Sequence, residues 1–436
     1  QEISHNLGST PACIIVKNTQ SSTFWAVYHG SIPAYVGFLN ATNAFDTSNT
    51  QNFGNNTSPV APTDSVFTVG QQSLVNSDGE TYVAYLFASD AGGFGDDGSE
   101  SIIKCGSFSH TNGTESVIDL GFEPQWLLVK ASNATSWWSI VDTMRGWDTT
   151  TDDARLAANV TNAEGGSSIG QPTATGFKWP YNSNTQDLIY IAIRRPMKTP
   201  ESGTEVYGAS QNSTPTFSFP PDLGIIFDAG GGATYGNKWT DRLRGSQKTL
   251  QTSSTAAEVT ESSANTWYTF NSDGTQNTFG NSWGGPQFTV QGFKRATGFF
   301  DVVAYTGTGV TMTIPHNLGA IPELIIVRRR DNTTTTQGQW KVYTAPTGNQ
   351  KYLTLETNNA LSSVQSTWQS TTPTSEEFYL GTGSNVVNSS GKFIAYLFAS
   401  VAGVSKVGSY TGTGADLNVD CGFSAGARFI LIKRTD

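Results

Sequence analysis

The sequence predicts an all-β fold, built as a tandem array of about 100-residue β-sandwich repeats. Charged residues make up only 14% of the chain, while glycine is abundant (46) and Trp, Tyr and Phe are plentiful (11, 15 and 24). Few charges, many hydroxyl groups and many aromatic rings favour short strands joined by tight turns. The apolar runs are strand-sized, and no segment shows a sustained helical period. The third observation is that the same motifs recur in the same order.

The recurrence is clearest between the two ends of the chain. Three motifs near the start recur near the end, and all three keep the same spacing, which chance would not produce. The pairs are 5–17 (HNLGSTPACIIVK) with 316–328 (HNLGAIPELIIVR), Pro62-Thr63 to Phe67 with Pro373-Thr374 to Phe378, and the identical AYLFAS at 84–89 and 395–400.

Two further copies lie between these ends, and the third is the more divergent because it lacks the His-Asn-Leu-Gly motif. The chain begins and ends inside a copy, so we expect it to be a piece of a longer polypeptide. The predicted boundaries are 1–89 (repeat one), 90–103 (an acidic, glycine-rich linker), 104–198 (repeat two), 204–299 (repeat three), 301–400 (repeat four) and 406–436 (the start of repeat five).

Each element of a repeat follows from local residue chemistry. A Tyr-Thr-Gly-Thr-Gly strand and a short alternating strand such as Met312–Ile314 come first, and a turn rich in Asn, Gly and Pro follows. The next strand is continuously apolar (CIIV, WLLV, LIIV, FILI), as expected of a strand covered on both faces. A Trp-containing strand, a long polar middle and an aromatic closing strand complete the repeat.

Smaller features complete this prediction. Asn76–Gly79 and Asn388–Gly391 indicate hairpin turns before the closing strands. Ala154–Ala158 is compatible with a single helical turn. A repeat of this length can hold its own core, so we expect independent domains joined by short linkers.

The combined motifs carry a resemblance to a known family. Tyr-Thr-Gly-x-Gly, His-Asn-Leu-Gly-x-x-Pro-x-x-Ile-Ile-Val, Trp-x-Val-Tyr-His and Tyr-Val-Ala-Tyr-Leu-Phe-Ala together resemble a repeat domain of large tail-fibre-like or virion structural proteins of marine tailed bacteriophages. The resemblance covers most of the chain and is closest in repeats one and four. It implies a structural role and brings no catalytic residues with it.

Charge and hydropathy exclude some partners. The net charge is −10, whereas binding to nucleic-acid phosphates needs clustered Lys and Arg. The one basic run, Arg328–Arg330, is interpreted as a solvated strand end. No apolar stretch approaches the length of about 20 residues of a membrane span. We therefore expect no nucleic-acid partner and no membrane partner.

The sequence predicts no catalytic, cofactor or metal site. Cys13, Cys105 and Cys421 form no zinc pattern and cannot all pair with one another. His5 and His316 occupy equivalent positions, where repeats two and five carry Asp, so a turn role is preferred to a catalytic one. A nucleophile-elbow motif is absent from the sequence. The acidic residues of 90–100 (Asp90, Asp96, Asp97, Glu100) are interpreted as a solvated linker, with a calcium site as the alternative.

Aromatic residues are the remaining candidates for recognition. Trp25, Trp138 and Trp340 recur at one strand position, which favours core packing. Tryptophans that do not recur and lie in the polar middles are better placed to stack on sugars. The candidates for glycan contact are Trp137, Trp147, Trp179, Trp283 and Trp368.

These observations lead to an expected function. We expect a virion structural protein, fibre-like or appendage-like, that lies on the virion surface or outside the cell and takes part in host attachment. Its expected partners are other subunits of the assembly, including copies of itself, and a host-surface glycan. A carbohydrate-binding adhesin module is the alternative. A polysaccharide depolymerase is disfavoured, because glycoside hydrolysis needs two positioned carboxylates and no acidic pair recurs among the repeats.

Overall fold

The structure is a computed structural model of the chain. Strands dominate it and its helical elements are single turns, so the all-β prediction is confirmed. The chain divides into two compact units, Gln1–Pro196 and Met197–Asp436. The residues that the structure describes are 1–47, 49–95, 97–150, 153–180, 183–211, 215–228, 237–261, 270, 288–331, 337–364, 366–382 and 387–436.

The first half of unit 1 is a small β-sandwich. Its strands are β1 (Glu2–Ser4), β2 (Pro11–Asn18), β3 (Ala26–His29), β4 (Gly37–Phe38), β5 (Val66–Thr68) and β6 (Tyr82–Ala88), with a helical turn, α1, at Ser73–Asn76. An antiparallel sheet of order β4-β3-β2-β6, here called sheet 1, packs against the β1–β5 pair. Ile14, Val16, Phe67 and Val69 belong to the core between them.

The second half of unit 1 repeats this plan with more strands. They are β7 (Ile103–His110), β8 (Ser116–Asp119), β9 (Pro124–Ala131), β10 (Ser139–Asp142), β11 (Asp153–Ala157), β12 (Gly165–Ser167), β13 (Gln171–Thr173), β14 (Gly176–Trp179) and β15 (Gln186–Arg194). Sheet 2 has the order β12-β11-β10-β9-β15-β7 and faces a small sheet of order β13-β14-β8. Leu127, Val129, Phe177 and Tyr190 belong to its core.

Sheets 1 and 2 also share a core with each other. Ile15 and Val27 of sheet 1 form one buried cluster with Leu128, Ile189 and Ile191 of sheet 2. Each such side chain contributes about 1.5–3 kcal/mol when fully buried. The expectation of independent domains on short linkers is therefore wrong for this unit. The strands β2, β6, β9 and β15 are apolar on both faces. One face packs into the core of their own sandwich, and the other packs against the neighbouring sandwich.

Unit 2 contains the same kind of large sheet twice. The strands of its first half are β16 (Tyr207–Ser210), β17 (Leu223–Asp228), β18 (Lys238–Asp241), β19 (Lys248–Gln251), β20 (Val259–Thr260) and β21 (Phe288–Phe293). Those of its second half are β22 (Phe300–Gly307), β23 (Met312–Pro315), β24 (Leu324–Arg329), β25 (Lys341–Thr344), β26 (Lys351–Thr354), β27 (Ser362–Ser363), β28 (Glu377–Leu380) and β29 (Gly391–Phe398).

Sheet 3 has the order β16-β21-β17-β18-β19-β20, and sheet 4 has the order β22-β29-β24-β25-β26-β27. They also share a buried cluster, in which Trp239 of sheet 3 packs on Trp340, just before β25, and on Tyr396 of sheet 4, with ring centroids 5.3 and 5.0 Å apart. The β23–β28 pair contacts sheet 4 through Phe378, whose ring centroid lies 6.3 Å from that of Tyr305 in β22. Both units thus bury the face that joins two large sheets.

Equivalent tryptophans connect the paired sheets in the two units. The indole N–H of Trp138 donates to the backbone oxygen of Phe38 at 2.9 Å, and that of Trp340 donates to the backbone oxygen of Gln251 at 3.1 Å. Both side chains are buried, as the recurrence of this position predicts, whereas Trp25 is only half-buried.

Four local predictions are wrong. Residues 153–157 form β11 rather than a helical turn, because they pair with β10 and β12. Neither Asn76–Gly79 nor Asn388–Gly391 is a hairpin, since the strands before and after each of them pair with other strands. Arg328–Arg330 is buried rather than solvated.

The fourth wrong prediction concerns the start of repeat five. Residues 406–436 contain no strand in the structure, and Ile430, Leu431 and Ile432 of the expected apolar strand are 68%, 50% and 64% exposed. Phe429 is anchored, with its ring 5.6 Å from that of Phe293. This segment has the sequence of a central strand but no neighbouring strands.

Candidate functional site

The sequence-predicted glycan contacts have mostly become core residues. Trp147, Trp179 and Trp368 are 1%, 6% and 2% exposed. The indole N–H of Trp147 donates to the backbone oxygen of Gly170 and that of Trp368 donates to the backbone oxygen of Lys351, both at 3.0 Å. A ring with both faces covered cannot stack on a sugar, so the prediction is wrong for these three residues. Trp283 lies outside the described residues.

Trp137 is the candidate that keeps an accessible position. It lies just before β10 and is half-buried. The guanidinium carbon of Arg155, on the neighbouring strand β11, lies 4.4 Å from the centroid of its ring. Partial burial of this guanidinium lowers the pKa of Arg155. An indole stacked with a cation offers an apolar face beside hydrogen-bond donors, a combination that suits a sugar ring or an anionic group.

Sequence reasoning could not place Arg155 beside Trp137. The two residues approach each other only because β10 and β11 pair, with Ser139 opposite Ala157. The sequence around Arg155 was compatible with a single helical turn, which would lack the β10–β11 pairing that brings the two side chains together.

Several exposed aromatic residues lie on the first sandwich. Trp25 and Tyr85 are stacked with ring centroids 6.3 Å apart and planes at 20°, and Tyr85 is 48% exposed. Phe24 is 47% exposed and lies 5.0 Å from the ring of Phe38. The sequence indicated Trp25 as a core residue because it recurs, and the structure shows it half-buried, packed against the cluster that sheets 1 and 2 share.

The strongest electrostatic cluster of unit 2 is buried between sheets 3 and 4. Arg244 is fully buried and pairs with Asp241 and with Glu258, the latter at 3.0 Å. Burial alone would lower the pKa of Arg244, but the adjacent Asp241, Tyr396 and Glu258 raise it above its usual value. Arg330 forms a two-bond pair with Glu258, at 2.9 and 3.0 Å.

This cluster acts as a connection between the two sheets. The hydroxyl of Tyr396 in β29 donates to Asp241 Oδ2 in β18 at 2.7 Å. Burial would raise the pKa of Glu258, but Arg244 and Arg330 lower it below its usual value. Because Asp241 and Glu258 each face a buried arginine, the cluster links the two sheets and holds them in register.

The histidines and aspartates at the repeated turn have the structural role that the sequence predicts. His5 Nδ1 accepts from the Leu7 N–H and His316 Nδ1 from the Leu318 N–H, both at 3.2 Å. Two aspartates accept from the N–H two residues on in the same way, Asp119 from Gly121 and Asp420 from Gly422. The glycines at this turn share left-handed φ angles of 73°, 76°, 67° and 72° at Gly8, Gly121, Gly319 and Gly422.

The cysteines and the acidic stretch offer little reactivity. Burial raises the pKa of the Cys13 thiol well above its usual value and that of Cys105 to about 12, so both remain protonated. Asp90 pairs with Lys104 at 3.3 Å and Glu100 with Arg194 at 2.8 Å. Asp96 lies outside the described residues. Within the described ranges, no group of three or more His, Cys, Asp or Glu side chains could hold a metal ion.

In the described part of the chain, no helix is long and apolar enough to span a bilayer.

A family model for a domain of unknown function, DUF7483, matches residues 1–194 and 286–436. These two ranges make up most of the chain. The chain belongs to the DUF7483 family. No curated protein and no solved structure matches it.

Some of the structural features lie inside the residues that the DUF7483 model matches, and others lie outside them. Trp137, Arg155 and the repeated turns all lie inside the matched residues. Asp241, Arg244 and Glu258 lie in the stretch between the two matched ranges, which also contains most of predicted repeat three. The buried ionic cluster is therefore built largely from the part of the chain that the DUF7483 model does not describe.

Proposed function

We propose that the chain is a structural protein of the virion surface of a tailed phage, built as part of a fibre or appendage. Its partners in this role are other subunits of the same assembly, including further copies of the chain. It works outside the cell, where it holds or spaces a host-recognition surface. This proposal extends the resemblance of the sequence motifs, and the family match is neutral toward it.

The observation that carries the proposal is the shared core between paired large sheets. In unit 1 the cluster of Cys13, Ile15, Leu128 and Ile191 joins two sandwiches into one folded body. Sheets packed over a common core resist bending, because interiors are close-packed and deform little. Such a body suits a mechanical element better than an enzyme that must open around a substrate.

The use of charge supports the same role. Arg244, Glu258 and Arg330 form ion pairs inside unit 2, and Lys130 is buried in unit 1 with its ammonium donating to the backbone oxygens of Thr42 and Ala134 at 3.1 and 3.3 Å. These buried polar groups connect segments of the fold that are distant in sequence. Their contribution is to specify how the sheets pack.

A carbohydrate-binding adhesin remains the second candidate, and the stacked pair of Trp137 and Arg155 favours it. Non-repeated aromatic residues at strand ends are common recognition elements. A single such platform gives weak binding, which gains strength when many copies act together.

Two experiments test the proposal. An antiserum against the chain should label projecting appendages, by immunogold electron microscopy, on virions from a phage lysate in which the protein is detected by immunoblot. The purified chain should release no oligosaccharide from capsular polysaccharide or lipopolysaccharide. Release of new reducing ends, or an absence of label on every particle of that lysate, would overturn the structural proposal.

The adhesin alternative is separated by binding. On an array of bacterial surface glycans, an adhesin would bind as a monovalent chain, and Trp137→Ala would remove the signal. Tyr35→Ala, which truncates another exposed aromatic ring (39% exposed), is the matched control and should leave binding unchanged. A structural element gives no monovalent signal with any of the three chains.

A further inference from the structure

Arg155 in β11 is an arginine to which the described part of the chain gives no hydrogen-bond partner. The other three arginines of the described strands, Arg194, Arg328 and Arg329, each donate to a carboxylate or to a backbone oxygen. Burial lowers the pKa of Arg155, and no charge among the described residues offsets this effect. A bound anion would supply the charge-assisted hydrogen bonds that this guanidinium lacks.

Arg145, in the turn after β10, is the contrasting case. Its guanidinium pairs with Asp142 and with Glu164. Burial would lower the pKa of Arg145, but these two carboxylates outweigh it and raise that pKa above its usual value. Glu164 directly precedes β12, the strand that pairs with β11. The carboxylate of Glu164 is therefore occupied by Arg145 and leaves Arg155 without an acidic partner.

The strand beside Arg155 leaves space for a ligand. Gly165 in β12 lies directly opposite Arg155, and residues directly opposite each other in an antiparallel pair have their side chains on the same face. Gly165 is exposed, and a Cβ atom added to it would have no protein atom within 4 Å. The place that a cross-strand partner of Arg155 would normally fill is therefore open.

Trp137 borders the same space from the other side of Arg155. The guanidinium carbon lies 4.4 Å from the centroid of the indole ring. Stacking on a ring uses the face of a guanidinium, whereas its five N–H donors lie around the edge and match a carboxylate. Trp137, Arg155 and Gly165 together form a notch, here called the Arg155 notch, with one cation, one aromatic ring and one vacant side-chain position.

We propose that the Arg155 notch binds a carboxylate-bearing sugar, a hexuronate of a surface polysaccharide. The carboxylate accepts from the edge of Arg155 in the space above Gly165, and the C–H face of the sugar ring packs against the indole of Trp137. This inference rests on the proposed role at the host surface and names the class of glycan recognised there. The chain carries a net charge of −10, so a polyuronate is not attracted to its surface in general and binding depends on this notch.

Equilibrium titration of the full chain tests the ligand class, because a single weak platform is not retained on a washed glycan array. The chain is labelled with 5-fluorotryptophan, and the fluorine resonance of Trp137 is identified by its loss in Trp137→Phe. The ligands are trimers of galacturonate and of mannuronate, and the matched neutral ligands are trimers of galactose and of mannose.

We expect the Trp137 resonance to shift saturably with a uronate trimer. The corresponding neutral trimer should bind about tenfold more weakly or less, because it lacks the hydrogen bonds between the carboxylate and Arg155. Absence of a shift with both uronates would overturn the proposal, and so would equal affinity for the uronate and neutral trimers.

Substitution at Gly165 tests the location of the site. Gly165→Glu places a carboxylate opposite Arg155, where it forms a cross-strand ion pair and competes with the ligand. Its affinity for the uronate trimer should fall by about tenfold. Gly165→Gln adds a side chain of the same size without the charge and should lose clearly less. Unchanged binding by Gly165→Glu, or equal losses in the two variants, would contradict the notch. Unshifted resonances of the other tryptophans show that both variants are folded.

The outcomes separate this inference from the proposed function. A chain that binds no uronate overturns the sugar site and leaves the structural role to be decided by immunogold labelling and by the polysaccharide assay. Particles without label overturn the structural role, whereas the titration remains a direct measurement of the notch in the purified chain.

Discussion

Two arginines in the same sequence context differ in how deeply their side chains are buried. Asp142–Arg145 and Asp241–Arg244 form the same turn, in which the arginine N–H donates to Oδ1 of the aspartate at 2.9 and 2.8 Å. The side chain of Arg145 is 26% exposed and reaches Glu164, which is 45% exposed, whereas that of Arg244 is fully buried. The two turns therefore form a natural matched pair.

Arg244→Met should be strongly destabilising. It leaves Asp241 and Glu258 buried without their shared cation, which costs about 3–5 kcal/mol. Arg145→Met removes a solvent-screened pair and should cost less than about 1 kcal/mol. Urea unfolding of the two variants against the parent chain measures both values, and similar losses for the two would show that the buried cluster contributes no more than a surface pair.

At this scale the sequence predicts turns well and recognition residues poorly. His5, Asp119 and His316 were expected to hold a turn, because short polar side chains bond to nearby backbone N–H groups, and they do. Trp147 and Trp368 were expected on loops because they do not recur. They are buried, since the polar middles of the repeats fold back over the sheets, and residue type alone does not reveal which rings that backbone covers.

Two closing strands that share the sequence AYLFAS, at 84–89 and 395–400, have different surroundings in this molecule. Tyr396 in β29 is enclosed by Trp239 and Trp340, and its hydroxyl bonds to Asp241. Tyr85 in β6 stacks on Trp25 and is 48% exposed. The sequence showed that both strands are apolar on both faces. The alternation of side chains along a strand does not show which other strand or sheet packs on each face.

Truncation of these two tyrosines should separate the two environments. Tyr396→Ala empties a fully buried site and should cost about 3–5 kcal/mol. Tyr85→Ala should change stability by less than about 1 kcal/mol, because the ring is largely solvated. Thermal unfolding of dilute chains gives the comparison, and a large loss for Tyr85→Ala would mean that this ring is covered in solution.

Each compact unit behaves as one body because its sandwiches share a core. His29 illustrates this, since its Nε2 donates to the backbone oxygen of Tyr190 in sheet 2 at 3.2 Å, while its Nδ1 accepts from the Ser31 N–H at 3.3 Å. Burial lowers the pKa of His29 from 6.5 to about 4. The unfolded chain therefore binds a proton at pH values where the folded chain does not.

Unit 1 should consequently weaken on acidification. The contribution of His29 is fully present above pH 6.5 and is lost as the pH falls toward about 4. Between pH 7 and 4.5 the parent chain should lose roughly 2–3 kcal/mol more than His29→Gln, which does not titrate. Urea midpoints of both chains at the two pH values measure this difference, and parallel losses would contradict it. Carboxylates and His316 titrate alike in the two chains and cancel.

The sequence predicted the sheets of the whole molecule but not their pairing. Internal repetition predicted about 100-residue segments, and the apolar runs CIIV, WLLV and LIIV lie in the strands β2, β9 and β24. Sheets 1 and 2, and sheets 3 and 4, pack together through the face that points away from the sandwich core. The sequence shows that this face is apolar. An apolar face could be covered by loops as well as by a sheet, and the structure shows that a second sheet covers it.

The shared face between paired sheets also constrains how such a chain can evolve. A duplication or deletion of one sandwich would leave Ile15 and Val27, or Ile326 and Tyr396, facing water, and selection would remove the product as prone to aggregate. The gain or loss of two paired sandwiches together leaves every such face covered. Relatives of different length should therefore differ by steps of two sandwiches, with single-sandwich steps confined to lineages in which the exposed face has acquired charged residues.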